Sequence, residues 1–224
     1  FISDASHELK TPISVINANI AVLEHEYGKN KWMGYIKEEG HKMNHLVNEL
    51  LNLCHLDHDI SEQAKSVPLD PFQVYDAIME AVLPFDSIAF EKNVTISTEC
   101  SEALRSKGSR DDFLKIITIL TDNAVTHVNS CGEIGIHVKH VKSTLHVTVS
   151  NTGSVISDQD LPFIFERFYK AKGSAKSSAK ASATVSGSAS GGTSEGKAGN
   201  FGLGLSIAKA LCEKNGFTIS ARSK

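Results

Sequence analysis

The sequence lacks the features that mark secreted, membrane-spanning and nucleic-acid-binding proteins. Its 224 residues include only four cysteines, none in a C-x-x-C pair, which favours reduced thiols over a disulfide framework. No run approaches the roughly 20 consecutive apolar residues that cross a bilayer, and no signal peptide is recognisable. The net charge of -3 gives no basic surface for a nucleic acid or an anionic membrane. We therefore expect a cytoplasmic chain that reaches a membrane only through segments outside this sequence.

Large apolar and aromatic residues are almost absent from one long segment. Between Ala171 and Gly199, 25 of 29 residues are Ser, Ala, Gly or Lys, and Val185 is the single β-branched aliphatic residue. Burial of so little apolar surface does not offset the conformational entropy that is lost on folding. We therefore expect residues 170–199 to form a long loop without a fixed fold of its own.

The first twelve residues are, by contrast, the most informative part of the chain. They read F-I-S-D-A-S-H-E-L-K-T-P and lead into apolar residues that recur at steps of four and three. These residues predict a helical seam formed by Leu9, Ile13, Ile16, Ile20 and Leu23. His7 lies off this seam, so we expect its imidazole to face water.

Three interpretations of His7 are open. Zinc binding through H-E-x-x-H requires a second histidine at the position where Thr11 stands. An ordinary solvent-exposed histidine is the simplest alternative. The third interpretation is a nucleophile, in which Glu8 accepts a hydrogen bond from one ring nitrogen and the other ring nitrogen keeps its electron pair.

Four further motifs follow in order along the chain. They are L-T-D-N-A at 120–124, S-N-T-G-S-V at 150–155, L-P-F-I-F-E-R-F-Y-K at 161–170 and N-F-G-L-G-L-S at 200–206. An amide oxygen such as that of Asn123 can join the phosphates and waters that Mg²⁺ prefers as ligands. Glycines at the start of a helix let backbone N–H groups approach an anion closely.

Together with the opening twelve residues, these motifs resemble the H, N, G1, F and G2 boxes of the sensor histidine kinases of two-component signalling. The resemblance covers essentially the whole chain. It implies that ATP phosphorylates His7, that Glu8 orients the imidazole as a base, and that an aspartate of a response regulator then receives the phosphoryl group. It also implies that Thr11 positions water when the regulator is dephosphorylated.

The same resemblance assigns nucleotide contacts to the later motifs. It implies that Asn123 holds Mg²⁺, that the G1 box recognises adenine, and that the cationic residues of the F box reach the γ-phosphate. The G2 backbone would contact the phosphates, and residues 170–199 would form a lid over ATP. The implied cofactor-binding residues are Asn123, His127, Asn151, Gly153, Arg167, Lys170, Gly202, Leu203 and Gly204.

Four residues depart from the commonest pattern of that family. Ile119 and Thr126 replace an asparagine and a phosphate-facing lysine of the N box, while Asn151 and Val155 replace the aspartate and the second glycine of the G1 box. These departures leave open a pseudokinase, which would be a dimeric scaffold or phosphatase with weakened nucleotide binding. A second alternative is an ATPase of the gyrase and chaperone superfamily, but its hydrolytic glutamate would stand where Ile119 does.

The apolar periodicity predicts two domains of different fold class. Residues 1–60 are expected to form an all-α helical hairpin, two copies of which make a dimeric four-helix bundle. Residues 61–68 are polar and show no periodic spacing of apolar residues, so they are predicted to form a hinge. Residues 69–224 are expected to form an α+β sandwich, in which helices cover one face of a mixed sheet.

Within these domains the pattern predicts particular elements. Two helices should end near Tyr27 and His58, and a third should begin at Asp70–Pro71 and run to about Phe90. The remaining predicted elements are a strand at 94–98, a helix from Phe113 into Asn123, a hairpin of 134–138 and 145–149 joined at Lys142–Ser143, helices at 158–167 and 202–214, and a strand at 217–220.

Overall fold

The structure is a computed structural model, and it describes the backbone of residues 2–28, 30–62, 70–142, 144–171 and 202–223. Side chains are described over the same ranges except for residues 2–10, 52 and 55–62. The predicted hinge and the predicted lid therefore lie almost wholly outside the described residues. None of the described helices combines the length and the apolar composition that a membrane crossing requires.

Two antiparallel helices form the amino-terminal hairpin. Helix α1 spans Ile2–Tyr27 and continues through Pro12, and helix α2 spans Lys31–Glu62. The turn between them is set by Gly28, whose φ of +77° is a conformation that glycine adopts without strain, and by the Asn30 side chain, which accepts a hydrogen bond from the Trp32 N–H. The predicted end at Tyr27 is confirmed, while α2 extends beyond the predicted end near His58.

The two helices approach closely where Asn17 of α1 lies opposite Gly40 of α2. A Cβ atom on Gly40 would come within 2.5 Å of the Asn17 Oδ1 atom, so a larger residue would force the helices apart. The helices are antiparallel, so residues before Asn17 on α1 lie opposite residues after Gly40 on α2.

Two small sheets build the second domain. Strand β1 (Pro71–Gln73) pairs antiparallel with β3 (Arg105–Lys107). The larger sheet has the order β2 (Thr95–Glu99), β4 (Glu133–Val141), β5 (Thr144–Asn151). Its β2–β4 pair is parallel and its β4–β5 pair antiparallel, so the predicted mixed sheet and hairpin are confirmed.

Helices cover one face of this mixed sheet. They are α3 (Val74–Val82), α4 (Asp86–Glu91) and α5 (Arg110–His127), while α6 (Gly204–Lys214) packs against α5. Ile136 and Val138 of β4 are buried against Ile78 of α3 and Ile117 of α5. The opposite face of the sheet is polar, and there the Glu99 carboxylate lies 2.9 Å from Nδ1 of His137. The α+β sandwich expected from the sequence is confirmed.

Three of the predicted elements are wrong. Residues 71–73 form a strand, so the helix begins at Val74, and a 3₁₀ turn at Leu83–Phe85 interrupts it because Pro84 has no N–H to donate. The predicted helix at 158–167 is a single 3₁₀ turn, Leu161–Phe163. Residues 217–220 pair with no described strand, since the Phe217 N–H bonds to the Cys212 carbonyl and the Phe217 and Ile219 side chains pack against the α6 core.

Ser109 caps helix α5, and its removal should destabilise the domain. The Ser109 hydroxyl accepts a hydrogen bond from the Asp112 N–H at 3.2 Å, which satisfies one of the otherwise unpaired amides of the first turn. We expect Ser109→Ala to lower the free energy of unfolding by about 1 kcal/mol, measured by urea denaturation. Ser154→Ala, in the exposed loop after β5, is the matched control and should leave it unchanged; equal effects of the two variants would contradict the capping role.

Candidate functional site

The last two turns of α5 contain the N box. The burial pattern of this helix shows which of its side chains a ligand could contact. Thr121, Ala124 and Val125 are buried against the rest of the domain. Asn123 lies outside that buried face and is half-buried, while Asp122 and His127 are exposed. Asn123 and His127 are one turn apart, so they lie on the same side of the helix.

The electrostatic environment of this helix end shifts the pKa values of two of its side chains. Loss of hydration beside the neighbouring helices raises the pKa of the Asp122 carboxyl, while the positive charges of His45, Lys92 and His127 oppose the rise. Desolvation lowers the pKa of His127, with the Asp122 charge opposing and the Lys92 charge adding to the shift. His127 is therefore held in its neutral form near pH 7, in which one ring nitrogen is an acceptor.

The G1 box is joined to the end of α5 by backbone contacts. Val128 and Gly153 form an antiparallel bridge, the Asn129 N–H donates to the Thr152 carbonyl at 3.3 Å, and the Thr152 hydroxyl donates to Asn129 Oδ1 at 2.7 Å. A Cβ atom on Gly153 would lie 2.4 Å from the His127 carbonyl oxygen, so only glycine permits this approach. The N box and the G1 box therefore form one continuous surface.

Asn151 stands at the end of β5, on the exposed edge of that surface. Its Nδ2 atom donates to the Thr152 carbonyl at 3.1 Å. An amide whose nitrogen is engaged in this way offers its oxygen as a hydrogen-bond acceptor. Asn151 can therefore accept a hydrogen bond from a ligand as an aspartate would, although a neutral acceptor forms a weaker bond than a charged one.

The F box and the G2 box meet although about thirty residues separate them in the chain. Phe168 adopts a φ of +63°, and its N–H donates to the Gly202 carbonyl at 3.0 Å. Gly202 has a φ of +77°, and a Cβ atom on it would lie 2.6 Å from the Tyr169 carbonyl oxygen. The Tyr169 hydroxyl in turn donates to Asp160. The two ends of the predicted lid are thus held together.

The G2 box continues into helix α6, whose first turn faces the N-box helix. Gly204 packs against Ile119, since a Cβ atom on it would lie 3.4 Å from the Ile119 Cγ2 atom. The first backbone bond of the helix runs from the Ile207 N–H to the Leu203 carbonyl, so the N–H groups of its first turn have no partner within the helix. The Leu203 side chain is fully buried, which leaves its backbone as the part that can meet a ligand.

The two F-box cations are both exposed. Arg167 lines an open groove of about 430 Å³ that it shares with Lys209 and Glu213 of α6. Lys170 is exposed next to the start of the predicted lid. The structure therefore gathers Asn123, His127, Asn151 and Gly153 on one surface and sets Gly202, Leu203 and Gly204 beside Ile119, while Arg167 faces α6.

The helical hairpin contacts this domain through the carboxyl-terminal half of α2. Leu53 is buried in the same core as Ile116 of α5 and Leu203 and Ile207 of α6, and Leu46 packs against it one heptad earlier. Glu49, between these leucines, has a raised pKa because of burial; the His45 ring, 3.7 Å away, opposes the rise and the Asp122 charge adds to it. The hairpin and the G2 helix are therefore in direct contact.

The three candidate catalytic residues lie on α1. His7 and Glu8 are within the described helix, but their side chains lie outside the described residues. Thr11, one helical turn after His7, is exposed. The sequence did not indicate Lys92, Asp122 or Thr152 as parts of the site. Asp122 could have been predicted, because it is an ionisable residue adjacent to Asn123. The contacts of Lys92 and Thr152 form only in the folded chain.

Comparisons with known proteins agree with these features. The family model described as "Histidine kinase-, DNA gyrase B-, and HSP90-like ATPase" matches residues 108–224, and the model described as "His Kinase A (phospho-acceptor) domain" matches residues 1–59. The chain is 33% identical over 221 residues to the sensor protein DltS of Streptococcus agalactiae, covering 99% of this chain and 50% of that protein.

Two further similarities extend over nearly the whole chain. The sensor histidine kinase YkoH of Bacillus subtilis is 27% identical over 230 residues, covering 100% of this chain and 44% of YkoH. The crystal structure of full-length ShkA in complex with AMPPNP superposes with a TM-score of 0.69 at 19% identity, covering 95% of this chain and 40% of ShkA, and supports the fold alone. The chain spans about half the length of the curated relatives that it matches.

Gly202 should not tolerate a side chain. Alanine at this position would combine a positive φ with a Cβ atom 2.6 Å from the backbone oxygen of Tyr169. Gly216 is the matched control, since its φ is +68° but no atom lies within 4 Å of a Cβ placed there. We expect Gly216→Ala to cost about 1 kcal/mol of unfolding free energy and Gly202→Ala distinctly more, measured by urea denaturation. Equal losses would mean that the F and G2 boxes are not in contact.

The imidazole of His127 should titrate below the usual pKa of histidine. Because its pKa is lowered in the folded protein, the unfolded chain takes up the proton first, and stability falls as the pH drops through and below the usual range. Asp122→Asn removes a charge that favours the imidazolium, so it should lower the pKa of His127 further. An NMR titration of the His127 ring in both proteins measures this; a higher pKa in the variant would contradict the arrangement.

Proposed function

Because the chain belongs to the sensor histidine kinases of two-component signalling, we propose that it transfers the γ-phosphoryl group of ATP to His7 and then to an aspartate of a response regulator. One observation carries this proposal. The N box, the G1 box and the first turn of the G2 helix all lie along the second half of α5, and the hairpin that bears His7 packs directly against α5 and α6. This contact supports the proposal, because the candidate nucleotide site and the helix of the candidate phosphoacceptor belong to one packed assembly.

The residues present fit a nucleotide. Gly153 and Gly202 each stand where a Cβ atom would clash with a neighbouring backbone oxygen, and Gly204 at the start of α6 has no side chain to cover the backbone N–H groups of that turn. In our proposal the amide groups of Gly202, Leu203 and Gly204 meet the phosphates at the positive end of the α6 dipole. Asn151 accepts from the adenine amino group, His127 lies beside the phosphates, and Arg167 and Lys170 approach the γ-phosphate from the F box.

The donor set also fits Mg²⁺. Asn123 offers one neutral amide oxygen on the exposed side of α5, and Mg²⁺ takes most of its remaining ligands from phosphate oxygens and water. We assign Asn123 as the protein ligand. Ile119, which stands where many relatives carry a second asparagine, packs against Gly204 instead and contributes no oxygen. A bound Mg²⁺ ion would neutralise charge on the phosphates.

Phosphoryl transfer in this proposal is an in-line displacement. A ring nitrogen of His7 forms a bond to the γ-phosphorus as the bond from that phosphorus to the bridging β-oxygen breaks, and ADP leaves. Glu8 accepts the proton from the other ring nitrogen of His7. The aspartate carboxylate of the regulator then attacks the phosphohistidine, and the imidazole is released. Thr11, exposed one turn from His7, would position water for the opposite activity, dephosphorylation of the regulator.

A second copy of the hairpin would complete the dimer that we propose. The residues of the apolar seam predicted for α1 fall into two groups in the structure. Ile13 and Ile20 are buried against α2, whereas Ile16 and Leu23 are exposed. On α2, Ile36, Met43 and Leu50 form an exposed stripe at seven-residue intervals. These five residues are 38% to 53% exposed, which is unusual for aligned apolar side chains and typical of a four-helix-bundle interface.

The alternative of a pseudokinase scaffold receives no support from the family models or the named relatives, which are kinase-type. Its sequence argument rested on the departures at Asn151, Val155, Ile119 and Thr126. Asn151 retains an acceptor oxygen, and Ile119 has a packing role against Gly204. We further propose that the chain is the cytoplasmic portion of a longer, membrane-anchored sensor, as half-length coverage of its relatives suggests.

Replacement of His7 should abolish labelling by ATP. We expect the protein incubated with γ-labelled ATP and Mg²⁺ to acquire acid-labile phosphate, and His7→Gln to reduce the label at least a hundredfold because the accepting nitrogen is gone. His41→Gln, an exposed histidine of α2, is the matched control and should label normally. Nucleotide binding without labelling of the wild type would instead support the scaffold, and release of free phosphate without labelling would support an ATPase.

A further inference from the structure

Lys92 lies at a junction that the sequence motifs do not include. It follows α4, and its backbone is fixed on both sides: its N–H bonds to the Ile88 carbonyl at 3.1 Å, and its carbonyl accepts from the Cys131 N–H at 3.5 Å. Asn93 then takes a positive φ of 52°, which turns the chain into the sheet. The Lys92 side chain is half-buried and extends to the end of α5.

The Lys92 ammonium satisfies a carbonyl that the helix itself leaves unpaired. In a continuing helix the Val125 carbonyl would accept from the Asn129 N–H, four residues later. The Asn129 N–H instead donates to Thr152 in the G1 box, at 3.3 Å. Lys92 Nζ takes its place and donates to the Val125 carbonyl at 2.5 Å. One of the contacts that join the N box to the G1 box is thus made by an amide whose place on the helix is taken by the Lys92 ammonium.

We propose that Lys92 is a positioning residue for the nucleotide: its ammonium group holds the last turn of α5, which bears Asn123 and His127, in contact with Gly153 of the G1 box. The inference rests on the proposed function for the identity of the ligand. A cation at a helix carboxyl end also complements the negative end of the helix dipole. Lys92 therefore acts on the nucleotide through the helix that carries Asn123, not through contact with the reacting atoms.

The distinguishing feature of this role is that geometry at the helix end, rather than overall stability, limits ligand binding. Lys92→Met keeps the length of the side chain and removes the donor, so the Val125 carbonyl loses its partner and Asn129 is drawn back from Thr152. Lys92→Arg keeps a cationic donor of similar reach. A residue needed only for folding would lower the melting temperature without changing the affinity of the folded fraction.

The experiment measures binding of ADP with Mg²⁺ by calorimetry, at a temperature well below unfolding, together with amide hydrogen exchange in the ligand-free protein. We expect Lys92→Met to weaken ADP binding about tenfold, as for loss of a charge-assisted hydrogen bond, and to speed exchange of the Val128 and Asn129 amides by a similar factor. Lys92→Arg should restore both to within about twofold. Lys139→Met, an exposed lysine on the polar face of β4, is the control and should alter neither.

The outcomes separate this inference from the proposed function. Wild-type affinity in folded Lys92→Met would overturn the positioning role, as would weakened binding in which the Val128 and Asn129 amides keep their exchange rates. Failure of the wild type to bind ADP would overturn the proposed function, and the ligand-free exchange measurement would then decide whether Lys92 holds the end of α5. Failure of Lys92→Arg to rescue either property would also overturn the assignment of a cationic donor.

Discussion

Burial of α5 on three sides is the constraint on which the rest of the structure depends. Phe113 and Ile117 pack beneath the mixed sheet, Ile116 joins the core shared with α6 and α2, and Ala124 and Val125 close a third cluster beside β4. A helix buried in this way can neither rotate nor slide without opening a cavity in a core. Its one accessible side is therefore fixed in direction, and that side bears Asn123 and His127.

The other parts of the site are placed relative to this helix largely by contacts of the backbone. Gly153 approaches the His127 carbonyl and Gly202 approaches the Tyr169 carbonyl, each at a distance that excludes a larger residue, while Gly204 lies in ordinary contact with Ile119. A backbone atom cannot move aside as a flexible side chain can. The short distances between the boxes are therefore possible only because these glycines have no Cβ atom. This explains why the glycines are informative in the sequence even where the flanking polar residues depart from the family's usual pattern.

Elements with a strong local period could be predicted from the sequence, whereas those that depend on distant contacts could not. The hairpin of β4 and β5 has buried residues at alternate positions and was predicted correctly. Strands β1 and β3 have three residues each and pair across more than thirty residues, too short for a pattern. The left-handed Phe168 ends the F-box turn by bonding to Gly202. The role of Lys92 could not be predicted either, because its bond to the Val125 carbonyl depends on Asn129 bonding to Thr152 in the folded chain.

Helix α2 has two sets of apolar residues, one that packs against the α+β domain and one that is exposed for a second hairpin. Leu46 and Leu53 pack toward α5 and α6, while Ile36, Met43 and Leu50 repeat at the same interval on another, exposed stripe. One helix can therefore hold the α+β domain and a second hairpin at once. The first contact is not wholly apolar, because Glu49 lies within it with a pKa raised by burial. Since ionisation of a partly buried carboxyl costs free energy, the contact is weaker at neutral than at acidic pH.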